Sequence, residues 1–545
     1  MVATIYRNAV VFTGDATAEP VEAFATSEGK FTAVGSLEAV RAAAPEAVEV
    51  DLAGAFVAPG AIETHAHLMM FGESLSKVQL RDCNTVAEMQ DRLVAARAAA
   101  PDAKRILGVS WRFEPISAAG SDQPTAAMLD AVLPDVPVYL DANDLHSAWV
   151  NSAALAEMGI TRDTPNPVGG EIVRDENGDA TGFLLETAAV QYVWGFLQES
   201  ATDADRDHAL DLAFDAYLET GVTGAVDMAL MEPDFDAVMR RLDRDGKLPF
   251  PYYAHWMLTA TGEEATDVAQ IETVVRMRDK VEAAGYSEWF RIIGVKFILD
   301  GVIDACTAAM RAPYKNGDEP GPIWTAERAR PVAVAADKAG LQIAMHAIGD
   351  AASDIALDAL ALVAEVNGAN ENRRHRIEHL EYVAEDSIPR LAEIGVIASM
   401  QPVHCDPAVL ENWKAVLGDE RAENGFPWRK LRESGAHMAL GTDAPTAPYQ
   451  MPQNLYIALT GGSAIDPTLA PYHPERAFAP GEAIAAQTSG AAYASRIEHE
   501  VGRIAPGLIA NAYVLDVNPL SAAPEALLTA KVLRTLVAGE TAFAV

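Results

Sequence analysis

Residues 55–72, "AFVAPGAIETHAHLMMFG", run apolar into a His-X-His pair. A continuous apolar run of this length suits a strand buried on both faces, and successive side chains of a strand point to opposite sides, so His65 and His67 project together at its end. Two neutral imidazoles so placed can bind one divalent cation. Seven further short apolar runs follow: "TGAVDMAL" (223–230), "FPYYAHWML" (250–258), "FRIIGVKFILDG" (290–301), "LQIAMHAIGD" (341–350), "HRIEHLEYV" (375–383), "GVIASMQPVH" (395–404) and "AHMALGTDAP" (436–445). Eight such strands, most separated by Ala-rich, helix-periodic stretches, predict an α/β fold, a (β/α)8 TIM-like barrel with its polar residues at the strand ends.

The two chain ends have another texture. "TIYRNAVVFTG" (4–14), "AFATSEGKFTAVG" (23–35) and "AVEVDLAGAFVAPG" (47–60) are short β-like runs cut by glycine, and "VGRIAPGLIANAYVLDVNP" (501–519) and "KVLRTLVAGETAFAV" (531–545) repeat the pattern. They predict one composite β-sandwich from residues 1–57 and 491–545, with the barrel over 58–490. Roughly residues 75–205 carry extra strand-like pieces, "RILGVSW" (105–111) and "VPVYLDAND" (136–144), and are read as an insertion after the first strand. Insertions at that end of a barrel cover active sites or pack passively.

At 545 residues, 50% hydrophobic and 22% charged, the chain can bury a large core. Its net charge is −37, from 78 Asp and Glu against 41 Lys and Arg, with no basic run to follow a phosphate backbone. Nucleic acid and anionic membrane are thereby excluded as partners. Cys83, Cys306 and Cys405 are too few and uneven for a disulfide framework, which fits a reducing cytoplasm. No basic N-terminal segment leads into an apolar core, and no run reaches the ~18 apolar residues that cross a bilayer. The expectation is a cytoplasmic protein acting on a small molecule.

Four residues join the histidine pair at the strand ends. Lys296 lies in an apolar strand, where a bare ammonium is costly to desolvate and needs an anionic partner, a lowered pKa or chemical modification. His346 and His379 end the next two runs, and Asp443 ends the last beside glycine and proline. Each alone has an ordinary explanation, a satisfied histidine or a turn-making aspartate. Together the six converge on one rim. His65 and His67 can hold one cation and His346 and His379 a second, while Asp443 can coordinate and exchange protons. Two cations roughly 3.5–4 Å apart need an anion between them, which a lysine supplies only if its amine carries a carboxyl group. His146 in "DLHSAWVNS", Trp111 in "GVSWRF" and His404 in "SMQPVH" are candidate substrate contacts, able to orient a carbonyl or stack on a ring, and equally readable as structural.

"VAPGAIETHAHL" (57–68), "GVKFILDG" (294–301), "HAIGDAA" (346–352), "HRIEHLE" (375–381) and "GTDAP" (441–445) together resemble, in order, the motifs of the amidohydrolase superfamily of metal-dependent hydrolases. "DLHSAWVNSAAL" (144–155) and "GEIVRDENGDATGFLLETA" (170–188) resemble segments of its amidohydrolase-3 or YtcJ-like branch, so the likeness runs over essentially the whole chain. The resemblance implies a carboxylated Lys296 bridging two metals, usually zinc with other divalent metals possible, His65, His67 and Asp443 around one and His346 and His379 around the other. It also implies an active site at the strand C-termini, the composite sandwich and a homodimer. Glu63 departs from the branch, which commonly has aspartate two residues before the first histidine, and Asn511 departs from a usual aspartate.

Two cations acidify a bridging water and polarise a carbonyl, so the expected nucleophile is a metal-bridging hydroxide, with Asp443 taking its proton and returning it to the leaving amine. The branch is similar to N-substituted formamide deformylases, which makes hydrolysis of an amide C–N bond, in an N-formyl or N-acyl amine, the expected reaction. The alternatives are a deaminase of an amino-heterocycle, commonly with one metal and no bridging lysine, and a non-catalytic scaffold or regulator, which would have lost ligands. All six are present.

Overall fold

Each of the eight apolar runs forms a strand of one parallel sheet: β1 (Ala61–Ala66), β2 (Val222–Leu230), β3 (Tyr252–Met257), β4 (Phe290–Ile298), β5 (Gln342–Ala347), β6 (Arg376–His379), β7 (Ile397–Met400) and β8 (His437–Leu440). The strands pair in chain order from β1 to β8, every pair parallel. Past the strand ends the two edges meet: Asp443 donates its N–H to the His65 carbonyl at 2.9 Å, and His67 donates to Ala444 at 3.3 Å. Glycine at 441 permits this approach, since a Cβ there would lie 2.4 Å from Glu63 Oε1 and 2.9 Å from the His65 nitrogen. The result is a nearly closed barrel.

The computed structural model describes residues 3–121, 123–143, 147–167, 170–370 and 372–545. The chain divides into two compact units, Met1–Leu68 with Phe214–Val545, and Met69–Ala213. The barrel belongs to the first unit. Its strands are mostly buried, β1 at every residue, which is why they read as largely apolar runs. The intervening helices follow the expected period. In Glu232–Asp245, Phe235, Val238, Met239 and Leu242 form the buried stripe, acidic Glu232 and Asp234 occupy the first turn, and left-handed Gly246 (φ 70°) ends it.

Also in the first unit, strands from both chain ends share one five-stranded sheet, ordered Val10–Val11, Phe56–Pro59, Ala512–Leu515, Val532–Val537 and Glu540–Ala544. A four-stranded sheet of residues 4–51 contributes Tyr6, Phe24 and Phe31 to the same buried cluster as Val57, Val514 and Leu536. Asn511 belongs here: its side chain accepts the Ala538 N–H at 2.8 Å and its carbonyl accepts that of Gly60 at 2.9 Å, one residue before β1.

The second unit holds a mixed six-stranded sheet ordered Gly170–Arg174, Ala180–Glu186, Ser147–Val150, Val138–Ala142, Ile106–Trp111 and Val78–Gln79. It includes both strand-like pieces noted above. Among the described residues no helix is long and apolar enough to cross a membrane.

Candidate metal centre

His65, Lys296, His346 and His379 come from the C-terminal ends of β1, β4, β5 and β6, His67 directly follows β1, and Asp443 follows β8. The rings of His65 and His379 have centroids 4.7 Å apart, and those of His346 and His379 4.5 Å. Lys296 Nζ stands 3.2 Å from His65 Nε2. Asp443 Oδ1 is 2.9 Å from His67 Nε2 and 3.6 Å from His65 Nε2. All six expected ligands therefore meet at one rim. Two of them have left-handed backbones, His379 at φ 74° and Asp443 at φ 63°. Such conformations are costly for residues other than glycine and concentrate at functional sites. At His379 this turn breaks the alternation of β6, so that neighbouring Glu378 and His379 both come close to His65.

The outer nitrogens are fixed by groups that only accept hydrogen bonds or can do so. His65 Nδ1 meets Glu378 Oε2 at 2.7 Å, His379 Nδ1 meets Gln401 Oε1 at 2.9 Å, and His346 Nε2 meets the Gly301 carbonyl at 3.1 Å. Protons on these nitrogens leave the opposite nitrogen of each ring with a lone pair, the arrangement found in metal-binding histidines. Glu378 is in turn held by fully buried Arg376, which donates to its Oε2 at 3.1 Å and to the Thr64 carbonyl at 2.8 Å. Asp300 lies 3.4 Å from His346 Nε2 and accepts N–H groups from Ala309, Ile348 and Gly349. Glu63 spans the barrel closure, accepting from the N–H groups of His65 and Thr442 and from the Thr442 hydroxyl. Glutamate at this position thus serves as a clamp between β1 and the loop carrying Asp443.

Electrostatics favour neutral bases around an anion. Burial pushes the His65 imidazole down to about 4 and His346 to about 3, and holds His379 well below the usual histidine range. Burial would raise the Asp443 carboxyl, but His65 and His67 outweigh it and hold it well below the carboxylate range. Burial brings the Lys296 amine down to about 8, against the pull of Glu378 and Asp443.

The residues fit a divalent metal. His65, His379 and Asp443 offer ligand atoms within 4.8 Å of one another. His67 Nδ1 and Asp443 Oδ1 are buried with no hydrogen-bond partner among the described residues. Unpartnered polar atoms at such depth are costly unless a ligand satisfies them.

His404 joins the group. It lies on the turn Pro402–Cys405 after β7, its ring stacked 5.7 Å from His379, its Nε2 3.6 Å from Asp443 Oδ2 and its Nδ1 2.9 Å from Glu381 Oε1. Burial would lower its pKa, and the Glu381 carboxylate outweighs that and raises it. Trp111 belongs instead to the second unit's core, fully buried against Trp149 and Phe183 with its indole N–H on the Leu140 carbonyl at 3.2 Å. That is a packing position, not the open face a stacking residue needs. His146 lies outside the described residues. Sequence reasoning missed Arg376, Glu378, Glu381, Gln401 and Asp300, although charged residues inside the short run "HRIEHLE" were a visible signal.

The amidohydrolase family model Amidohydro_3 matches residues 48–543. Protein LONG AFTER FAR-RED 3 of Arabidopsis thaliana is 30% identical over 560 residues, covering 98% of this chain and 91% of that protein. The N-substituted formamide deformylase of Arthrobacter pascens is 29% identical over 555 residues, covering 98% of this chain and 96% of that enzyme. A crystal structure of an uncharacterized metal-dependent hydrolase from Pyrococcus horikoshii OT3 superposes with a TM-score of 0.76 at 25% identity, covering 96% of this chain and 99% of that one. With candidate metal ligands gathered at the rim of a nearly closed parallel barrel and a family match over most of its length, the chain belongs to the Amidohydro_3 amidohydrolase family, within the superfamily of metal-dependent hydrolases.

Proposed function

We propose that the protein is a metal-dependent amidohydrolase that cleaves a C–N bond in a small amide, with an N-formyl or N-acyl amine as substrate. One observation carries this reading: four imidazoles and a carboxylate converge beside a buried lysine amine 3.2 Å from a ligand histidine. His65, His67 and Asp443 would hold one cation, zinc by preference, and His346 and His379 a second, with a carboxylated Lys296 between them. Bound cations would supply Lewis acidity for the substrate carbonyl and acidify water. The remaining work falls to the chain.

The Lys296 amine, brought down to about 8 by burial, carries an appreciable neutral fraction near neutral pH. Its nitrogen can add to carbon dioxide, forming one N–C bond and releasing one proton, and the product is the anion a paired-cation site requires. Asp443, ionised and facing the imidazoles, accepts the proton of the attacking water on a carboxylate oxygen. It returns that proton to the nitrogen as the C–N bond breaks, so that an acid and an amine leave. Arg376 and Glu378 keep His65 in one tautomer and orientation throughout. The name of the Arthrobacter relative supports the amide reading. The buried lysine weighs against a single-metal deaminase, and the full ligand set against an inert scaffold. The two sheets built from the chain ends we take as the composite sandwich, and the assembly as a homodimer.

Metal analysis of protein purified without chelator, followed by a screen of N-formyl and N-acyl amines for amine release, tests the proposal. The expected result is two metals per chain and release of amine. Less than one metal per chain after zinc and bicarbonate supplementation would overturn it.

A further inference from the structure

We propose that His404 is a ligand of the second cation, held in that role by Glu381. The inference rests on the two-cation reading above and extends its ligand set by a residue on β7's end.

Three observations carry it. First, the two oxygens of Asp443 have matching neighbours: Oδ1 lies 3.6 Å from His65 Nε2, and Oδ2 lies 3.6 Å from His404 Nε2. Oδ2 also lies 3.9 Å from the His379 ring, so Oδ1 faces the histidines of the first cation, whereas Oδ2 faces His379 and His404 on the side of the second. Second, His404 shares the outer anchor of His65. Its Nδ1 is fixed by Glu381 as that of His65 is fixed by Glu378, which leaves Nε2 facing Asp443. Third, His379, Glu381 and His404 offer ligand atoms that all lie within 4.8 Å of one another, in a second group sharing His379 with the first.

The placement is rigid. Val403 donates its N–H to Asn454 Oδ1 at 3.0 Å, and Asn454 donates its amide to the Gly441 carbonyl at 3.0 Å. One side chain thereby ties the turn bearing His404 to the loop bearing Asp443.

The test is equilibrium binding of zinc to the full chain, buffered by a competing chelator and read as metal per chain, with the visible spectrum of the cobalt-substituted protein as a second readout. Wild type, His404→Ala and Glu381→Gln are compared after circular dichroism establishes that each is folded. The expected outcome is two metals in wild type and one in His404→Ala at the same free zinc. Glu381→Gln, which keeps the side chain's size, should bind its second metal about 10–100-fold more weakly, and the cobalt spectrum should change in both variants. Two metals bound with unchanged affinity and spectrum in His404→Ala, with only a raised KM, would make His404 a substrate residue and overturn this proposal alone. Less than one metal in wild type would overturn the two-cation reading and this proposal with it.

Discussion

Asp141 in the second unit and Asp443 on the barrel rim are both buried aspartates at strand ends, and they are built in opposite ways. Asp141 has each oxygen answered, Oδ2 by Lys77 Nζ at 2.6 Å and Oδ1 by the Trp194 indole at 2.7 Å. Asp443 faces four imidazoles, yet its Oδ1 makes no hydrogen bond among the described residues. The first is a closed pair, complete in the chain as it stands. The second is incomplete, and a buried polar atom left incomplete costs more stability than a satisfied one. Burial of charge alone thus does not mark a functional site. What marks it is charge brought together without being neutralised by its neighbours, as at the rim.

The largest expected effect tests the chemical side of this contrast. Asp443→Asn keeps a coordinating oxygen and removes the proton carrier, so metal content should stay near wild type while turnover falls by about 10³-fold or more, the scale of lost general acid–base catalysis. Side-by-side metal analysis and amine release check it; retained turnover would remove Asp443 from the reaction. The second effect tests the structural side. Lys77→Met strands Asp141 with one partner, and breaking a buried pair in this way costs about 3–5 kcal/mol, measurable by urea unfolding. Metal content should be unchanged. If Lys77→Met proved neutral in stability, the two aspartates would differ less than their surroundings imply.

The contrast also explains what could be read from the chain beforehand. The barrel strands were legible because parallel strands buried on both faces need no polar residues until they end, so His65, Lys296, His346, His379 and Asp443 stood out against apolar runs. Their partners did not. Glu378 meets His65 across 313 residues of sequence, and its position on β6 gives no sign of this, because the left-handed turn at His379 brings two adjacent residues to one neighbour where a regular strand would separate them. Glu381 and Gln401 likewise acquire meaning only once β6 and β7 lie side by side. Trp111 shows the opposite difficulty. An aromatic residue at a strand end reads alike whether it faces a ligand or a core, and only the neighbouring strand, whose Leu140 carbonyl takes the indole N–H, distinguishes them.

The third prediction separates holding a metal from surrounding it. Glu378→Gln keeps the shape beside His65 but weakens the acceptor for its Nδ1, so zinc affinity of the folded protein should fall about 10–100-fold. Chelator competition measures this directly. An unchanged affinity would leave Glu378 as a counter-ion to Arg376 and nothing more.

The smallest effect concerns Lys296, whose amine lies 3.2 Å from His65 Nε2. In metal-free protein, burial brings its amine from the ordinary 10.5 to about 8. Between those values the unfolded chain binds a proton that the folded chain has released, so stability rises with pH in that window. Below it both states are protonated and the penalty of burying the ammonium is full. The rise from pH 8 to 9 amounts to about 1 kcal/mol, and its absence in Lys296→Met, measured by parallel urea titrations, would assign it to this amine. A carboxylated amine has no ammonium to bury, so the same rise should vanish from protein loaded with zinc and bicarbonate. A rise that persisted undiminished after loading would mean that Lys296 remains a simple amine, and the rim would then lack the anion on which a pair of cations depends.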